Sequence, residues 1–137
     1  MVRDSLVKIR FEFGEKLIKQ LRKDNFPITA ALWNYYEERE EWQLVIVSEL
    51  VAEKGPLHCY GVVHRAIDKI PMDEFYTFSL SDIKVLAPRE RLARSVENTL
   101  FVQYPDRSKP RFKHIDHSYV GDSYIEDAYV YNLKMVG

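Results

Sequence analysis

The chain has little cysteine and little glycine. Cys59 is its single cysteine, so no disulfide can form within the chain, and a reducing cytoplasm is the expected location. Five scattered glycines leave no glycine-rich phosphate loop, and no serine stands in a nucleophile-elbow motif. The sequence therefore carries no signature of phosphate-loop nucleotide binding or of serine hydrolysis.

Long hydrophobic runs are also missing. The longest uninterrupted apolar stretches are short pieces such as residues 44–47, whereas a membrane-spanning helix needs roughly 18 apolar residues or more. The first residues, MVRDSLVKIRFEFGEK, are charged throughout and lack the apolar centre of a secretion signal. We therefore expect a protein that neither spans a membrane nor is secreted.

Charge of one sign is not in excess either, because the formal net charge is -1. This argues against general electrostatic capture of nucleic acid. The distribution is less even: residues 1–25 and residues 88–117 each hold seven Lys or Arg against four acids, whereas residues 35–55 hold six acids against two bases. Whether the two basic segments share a face is left open by the sequence.

The length of 137 residues is that of one domain, and a hydrophobic fraction of 46% is enough to fill its core. Apolar periodicity predicts a single α+β domain over residues 1–137, with about five strands in an antiparallel or mixed sheet and three helices. The predicted order is α-β-β-α-β-α-β-β, with helices near 12–24, 56–70 and 88–100 and strands near 28–36, 42–50, 83–87, 111–119 and 123–135.

The first predicted helix has one apolar side, formed by Phe13, Leu17, Ile18 and Leu21. Asn25 and Pro27 are expected to end it, since Asn tolerates the left-handed cap position and the residue before a proline prefers extended geometry. Residues 6–13 fit either a short strand or an extension of this helix, and the extension is favoured.

The next two strands form a predicted hairpin around a charged turn, Glu37–Glu41, which is expected to lie in water. One apolar face is assigned to Ile28, Ala30 and Leu32 with Trp42, Leu44 and Ile46, and the other to Ala31, Trp33 and Tyr35 with Val45 and Val47. A sheet with one wet face alternates apolar and polar residues, so both faces should be covered. Because three helices are too few to cover both faces, we expect a homodimer.

Two segments, FPITAALWNYYEEREEWQLVIVSELVAEKGPLHCY and YIEDAYVYNL, resemble the best-marked parts of a family of small uncharacterised bacterial α+β proteins. The resemblance covers about the first half of the chain and the last strand. It implies a single α+β domain, and it brings no activity and no functional residue with it.

The densest group of potential metal ligands is His114, Asp116 and His117, whose imidazole and carboxylate groups suit zinc or manganese. On a regular strand, residues 114 and 116 share a face and residue 117 points away, so all three converge only at a bulge. The alternative is a polar strand edge in contact with water.

Asp127 is a carboxylate on an otherwise apolar strand face, where an acid needs a partner. It is either structural or, with Glu49, a candidate catalytic acid that holds a divalent metal for an enzyme acting on nucleic acid or a phosphorylated substrate. The Asp and Glu-x-Lys spacing of magnesium nucleases is absent, however.

Cys59 is expected to be a buried thiol rather than a nucleophile.

Four cations at alternate positions, Arg107, Lys109, Arg111 and Lys113, form a stripe that could contact phosphates. Charges on an edge strand also prevent sheets from pairing with each other.

Taken together, these features predict a non-catalytic interaction or scaffold domain that self-associates. A metal-dependent enzyme is the alternative, and nucleic acid is a weaker candidate partner. No cofactor is predicted beyond a possible divalent metal.

Overall fold

The computed structural model describes residues 2–71, 82–90, 112–120, 123–131 and 133, with side chains at 9–71, 82–90, 128–131 and 133. These residues form helices and one mixed sheet, so the α+β class is confirmed. In chain order the elements are α1 (Val2–Lys23), β1 (Ala30–Tyr36), a 3-10 turn (Glu37–Arg39), β2 (Glu41–Val47), α2 (Leu50–Lys54), α3 (Pro56–Asp68), β3 (Ile83–Leu86), β4 (Phe112–Val120) and β5 (Ser123–Tyr131).

The strands are arranged in the order β3-β2-β1-β5-β4. β2 and β3 are parallel, and the other neighbouring pairs are antiparallel. A parallel pair requires a long crossover, and α2 and α3 lie within it. The predicted helix at 88–100 falls outside the described residues beyond position 90. Residues 87–90 form a turn in which the Glu90 N–H donates to the Ala87 carbonyl at 3.0 Å.

Helix α1 includes residues 6–13, so the helical alternative for that segment is confirmed. Its end follows the predicted cap. Asn25 adopts a left-handed φ of 62°, and the Phe26 N–H donates to the Leu21 carbonyl at 2.8 Å while the Asn25 N–H donates to the Arg22 carbonyl at 3.1 Å. These are the two hydrogen bonds of a Schellman cap. Phe26 then turns inward and is buried.

Strand β2 ends at Val47, three residues earlier than predicted, because Ser48 and Glu49 lead into helix α2. The Leu50 N–H donates to Ser48 Oγ at 3.2 Å, which satisfies a free donor of the first turn of α2. Gly55, with φ 85°, separates α2 from α3 in a conformation that favours glycine. Pro56 follows at the first turn of α3, where its missing N–H costs nothing.

The apolar spacing of α3 predicts a buried stripe, and Leu57 is the member for which this prediction is wrong. The predicted stripe consists of Leu57, Tyr60, Val63, Ile67 and Ile70. Leu57 is 87% exposed, whereas Cys59 is fully buried with Val63. Residues two positions apart on a helix point about 200° apart, so the stripe that contains Cys59 excludes Leu57. The prediction that Cys59 is a buried thiol is confirmed.

The main core lies between the sheet and helices α1 and α3, and the predicted face assignment of the hairpin needs correction. The two strands pair Ala31 with Ile46 and Trp33 with Leu44. Four residues separate the paired Tyr36 and Glu41, so odd positions of β1 share a face with even positions of β2. The predicted assignment had grouped even positions with even ones.

The second face of the sheet is apolar, as expected, and it is already buried within a single chain. It is formed by Ala30, Leu32, Val45, Val47, Ala128 and Val130, none of which has an exposed surface. The argument that a second copy is needed to cover this face therefore has no support. Any case for self-association has to come from another surface.

Candidate interaction surface at the hairpin

A buried hydrogen-bond network joins α1 to the centre of the sheet. Trp33 Nε1 donates to the Arg10 carbonyl at 3.1 Å and to Tyr131 Oη at 3.0 Å. Tyr131 Oη in turn donates to the Phe11 carbonyl at 3.1 Å. The network holds the middle of α1 at one position over β1 and β5, and so places Arg10 and Phe11 beside the hairpin.

Three half-buried aromatic side chains, Tyr35, Trp42 and Tyr129, lie next to one another on β1, β2 and β5, and we call them the aromatic surface. The ring centroids of Tyr35 and Trp42 are 5.3 Å apart, and those of Trp42 and Tyr129 are 5.6 Å apart. Phe11 packs edge-on against Tyr129 at 5.0 Å. Aromatic pairs at such distances stabilise each other by about 1 kcal/mol beyond area burial.

The guanidinium of Arg10 lies 5.3 Å from the centre of the Trp42 ring. Arg10 and Trp42, with Phe11, Trp33 and Tyr129, line a shallow depression that encloses essentially no volume. Pockets that enclose a small molecule usually measure about 300–1,000 Å³. The depression therefore suits a contact with another surface better than an enclosed ligand.

The turn that joins β1 and β2 adds charge to this region. Glu37, Glu38, Glu40 and Glu41 are all exposed, and we call them the acidic tip. Arg39 is the one base among residues 37–41, so the tip carries four negative charges against one positive. The guanidinium of Arg39 lies over the Tyr36 ring, 4.5 Å from the ring centre. Among the described residues, no ion pair involves a glutamate of the tip.

Asn34 on β1 is buried, and its Oδ1 accepts no hydrogen bond within the part of the chain that the structure describes. Asn34 pairs with Gln43 in the hairpin register and shares a face with Tyr36, two residues further along β1. A buried acceptor without a donor costs about 1–3 kcal/mol. Selection for stability alone therefore does not explain why asparagine stands at this position of the hairpin.

The backbone register brings two of the predicted site residues together. Asp116 on β4 lies directly opposite Asp127 on β5, and His114 lies opposite Tyr129. Residues directly opposite in an antiparallel pair belong to the same face, so positions 114, 116 and 127 share one face. His117 falls on the other face by strand alternation. The side chains of these four residues lie outside the described ones.

Glu49 does not join this group. It follows Val47, which pairs with Ala30 at the start of β1. Asp127 lies one residue before Ala128 on β5, and Ala128 pairs with Asn34 on β1. Asn34 is four residues beyond Ala30, which is roughly 13 Å at the rise of a strand. Glu49 directly precedes helix α2 and is exposed. The structure therefore separates Glu49 from Asp127, the two candidate catalytic acids.

Of the four cations in the predicted basic stripe, Lys113 alone lies within the described residues. Lys113 lies on β4 opposite Val130, on the sheet face away from Tyr129. Arg107, Lys109 and Arg111 lie outside the described residues. In the described parts of the chain, no three His, Cys, Asp or Glu side chains are grouped as metal ligands.

Among the residues that the structure describes, two ionisable groups have shifted pKa values, and both lie away from the aromatic surface. A hydrogen bond from Lys69, with Nζ 3.0 Å from Oδ1, lowers the pKa of Asp24, and a bond from Gln20 acts in the same direction. Burial raises the pKa of the Cys59 thiol, which keeps it protonated and unreactive. Neither group has the environment of a catalytic residue.

Sequence reasoning missed the aromatic surface. Tyr35 and Trp42 at the ends of the two hairpin strands are a usable signal for an aromatic pair, but whether they share a face depends on the register set by the turn. Tyr129 and Arg10 come from distant parts of the chain, and no local pattern links them to the hairpin. Asp116 and Asp127 were likewise identified separately, because their pairing depends on the β4–β5 register.

No helix within the described residues is both long enough and apolar enough to cross a membrane. Comparison with known protein families, with curated proteins and with solved structures found no match. The resemblance to small bacterial proteins therefore stays a prediction, and the proposals below depend on the geometry of the chain itself.

Proposed function

We propose that this protein is a non-catalytic interaction domain that binds a partner through the aromatic surface and the adjoining acidic tip. The observation that carries the proposal is the contact between the half-exposed rings of Tyr35, Trp42 and Tyr129 on three neighbouring strands. Tyr, Trp and Arg dominate the energetic centres of protein interfaces. Here all three residue types lie in one patch, with Arg10 over Trp42.

The way in which the patch is held also favours binding. Its rings stand on paired strands, and Arg10 is held close by the hydrogen bonds from Trp33 and Tyr131 to the α1 carbonyls. A surface that is rigid before binding loses little conformational entropy when a partner arrives. The depression is too shallow to enclose a substrate, which favours binding over catalysis.

The experiment compares the wild-type chain with Trp42→Ala. Proteins retained from an extract by the immobilised wild type are identified, purified and titrated against both forms. We expect the dissociation constant to rise at least about tenfold in Trp42→Ala, as for an interface hot spot. Leu57→Ala is the matched control, because it removes an exposed apolar side chain from α3. Equal affinity of Trp42→Ala and wild type would refute the proposal.

A second copy of the chain is one partner that this proposal admits. Multi-angle light scattering at micromolar concentration tests it directly. A dimer that dissociates in Trp42→Ala and persists in Leu57→Ala would identify the aromatic surface as the self-association site. A clean monomer would exclude self-association at that concentration and direct the search to other partners.

The second candidate function is a divalent metal-dependent enzyme acting on nucleic acid or a phosphorylated substrate. Its support is the register that sets Asp116 opposite Asp127, with His114 at the next position on the same face. Two carboxylates at opposed positions repel each other unless a proton or a cation lies between them. Carboxylate and imidazole groups are ligands for manganese and zinc.

Calorimetric titration of the metal-free chain with Mn²⁺ and Zn²⁺ tests this candidate. Binding that is lost in Asp127→Asn and weakened in His114→Ala, with metal-dependent phosphodiester cleavage lost in parallel, would favour it. Glu49→Gln serves as the control, because Glu49 lies at the other end of the strands. An unchanged isotherm in Asp127→Asn would exclude a metal at this position.

A further inference from the structure

We infer that the partner presents a basic, arginine-containing peptide segment to the end of the hairpin. This inference rests on the proposed function, since it names the chemistry of the partner that the aromatic surface and the acidic tip receive. The charge of the tip disfavours nucleic acid at this surface, because phosphates would be repelled by the glutamates that flank the rings. The occupant is therefore a segment of a protein.

The rings at this end of the sheet already receive arginine side chains from the same chain. Arg10 lies over Trp42 at 5.3 Å, and Arg39 lies over Tyr36 at 4.5 Å. Trp42 and Tyr36 fall on opposite faces of the hairpin, by the alternation of β1 and β2. Both faces of the hairpin end thus offer rings that can stack with a guanidinium. Tyr35, beside Trp42, is half-exposed and adds a third ring.

The carboxylates of the tip are not neutralised by neighbours. Among the described residues no cation forms an ion pair with Glu37, Glu38, Glu40 or Glu41. Arg39 stacks on Tyr36 and is the one base in the turn, so residues 37–41 carry a local charge of -3. Like charges at such short separations repel one another. A basic segment relieves this repulsion, whereas an acidic one increases it.

Asn34 supplies an independent observation on the same hairpin. Its buried Oδ1 has no donor within the described residues, and it lies two residues from Tyr36 on the same face. Two residues of a strand cover about 7 Å. Oδ1 has no accessible surface and the Tyr36 ring already carries Arg39, so Asn34 adds to the excess of acceptors at this end of the hairpin and is not itself a contact for the partner.

Arginine is favoured over lysine by the same geometry. The planar guanidinium stacks on an aromatic ring and donates two parallel hydrogen bonds to a carboxylate, whereas the ammonium group of lysine is a compact and strongly hydrated charge. The hairpin offers both kinds of contact within a few residues, from Tyr35 and Tyr36 to Glu41. We therefore expect discrimination between the two cations and not charge attraction alone.

The experiment uses three synthetic peptides with blocked ends, in which four arginines, four lysines or four glutamates alternate with glycine. Each is titrated calorimetrically into the full chain at low and at high salt. We expect the arginine peptide to bind, the lysine peptide to bind about three- to tenfold more weakly, and the glutamate peptide not to bind. Salt should weaken the binding.

Matched variants separate local charge from net charge. The triple variant Glu37→Gln, Glu38→Gln, Glu40→Gln should weaken arginine-peptide binding about tenfold or more. The control triple variant Asp68→Asn, Glu53→Gln, Glu90→Gln changes net charge equally at exposed positions outside the hairpin and should bind like wild type. All six positions are exposed, so both variants are expected to fold, and circular dichroism checks this.

The inference fails if the arginine peptide does not bind, if the glutamate peptide binds equally well, or if the two triple variants behave alike. Retention of a single-stranded oligonucleotide in place of the arginine peptide would also overturn it. A captured partner that depends on Trp42 but contains no basic segment would refute this inference alone. A captured partner indifferent to Trp42→Ala would refute the proposed function as well.

Discussion

Trp33 Nε1 donates a hydrogen bond of 3.0 Å to the hydroxyl of Tyr131, a residue 98 positions further along the chain. Both side chains are almost completely buried. The Tyr131 hydroxyl lies against α1, where a Cβ on Gly14 would be 2.0 Å from its oxygen. Strands β1 and β5 and helix α1 therefore meet at one point that tolerates no additional atom, and the position of Arg10 beside the hairpin depends on it.

We expect Gly14→Ala to destabilise the protein although alanine is the better helix former. The added methyl group overlaps the ring of Tyr131, and such overpacking costs about 1–3 kcal/mol. Gly61→Ala is the matched control in α3, because its Cβ would meet nothing closer than Arg65 Nη1 at 3.6 Å. That variant should gain about 0.5–1 kcal/mol. Urea unfolding of both variants measures the difference, and equal effects would contradict the packing described here.

The bond between Trp33 and Tyr131 should appear as an energetic coupling. Tyr131→Phe removes the hydroxyl that donates to the Phe11 carbonyl and accepts from Trp33 Nε1, and we expect a loss of about 1–2 kcal/mol. A double-mutant cycle with Trp33→Phe should give a coupling of about 1 kcal/mol. Additive effects in urea unfolding would mean that the bond contributes nothing to stability.

Acid should weaken the link between α1 and α3. The hydrogen bond from Lys69 lowers the pKa of Asp24 in the folded state. A depressed carboxyl pKa stabilises the fold above the unfolded value of about 3.9, and this contribution is lost as the pH falls through the folded value. Asp24→Asn should therefore flatten the dependence of unfolding free energy on pH in the acid range, as measured by urea unfolding.

Asp68→Asn is the control for this pH effect, because Asp68 directly precedes Lys69, is 67% exposed and pairs with His64 and not with Lys69. It should leave the slope of stability against pH nearly as in the wild type. A wild-type slope in Asp24→Asn, or an equal change in Asp68→Asn, would show that the Asp24–Lys69 pair is not responsible.

Asn34→Leu should stabilise the protein. The change removes a buried oxygen that has no donor among the described residues and replaces it with an apolar group of similar size. We expect a gain of about 1 kcal/mol in the free energy of unfolding. Gln43→Leu, at the half-buried position opposite Asn34, is the control and should change stability less. Destabilisation by Asn34→Leu would show that its amide is satisfied in solution.

Much of the local structure followed from local patterns. The apolar spacing in residues 13–21 placed the buried side of α1 correctly, since Phe13, Leu17, Ile18 and Leu21 are all buried. Asn25 was recognised as a helix end from its own conformational preference, and its φ of 62° confirms this. Such features depend on residues close in sequence, whose preferences act before any long-range contact forms.

The candidate site could not be predicted in the same way. The aromatic surface combines Arg10 from α1, Tyr35 and Trp42 from the hairpin and Tyr129 from β5. One residue more or less in the 37–40 turn would move Trp42 to the other face of the sheet. The opposition of Asp116 and Asp127 depends in the same manner on the register of two other strands.

By itself, then, the sequence determined the α+β class and the buried side and the end of α1, because helix periodicity and cap chemistry are properties of neighbouring residues. Only the tertiary structure decided which strand faces meet, that the second apolar face is buried within one chain, and that rings, an arginine and uncompensated glutamates gather at the hairpin. Those outcomes depend on strand register and on the packing of α1 through Gly14, Trp33 and Tyr131. The register of β1 and β2 depends on the four-residue turn between them, whereas the packing of α1 depends on contacts between residues nearly 100 positions apart.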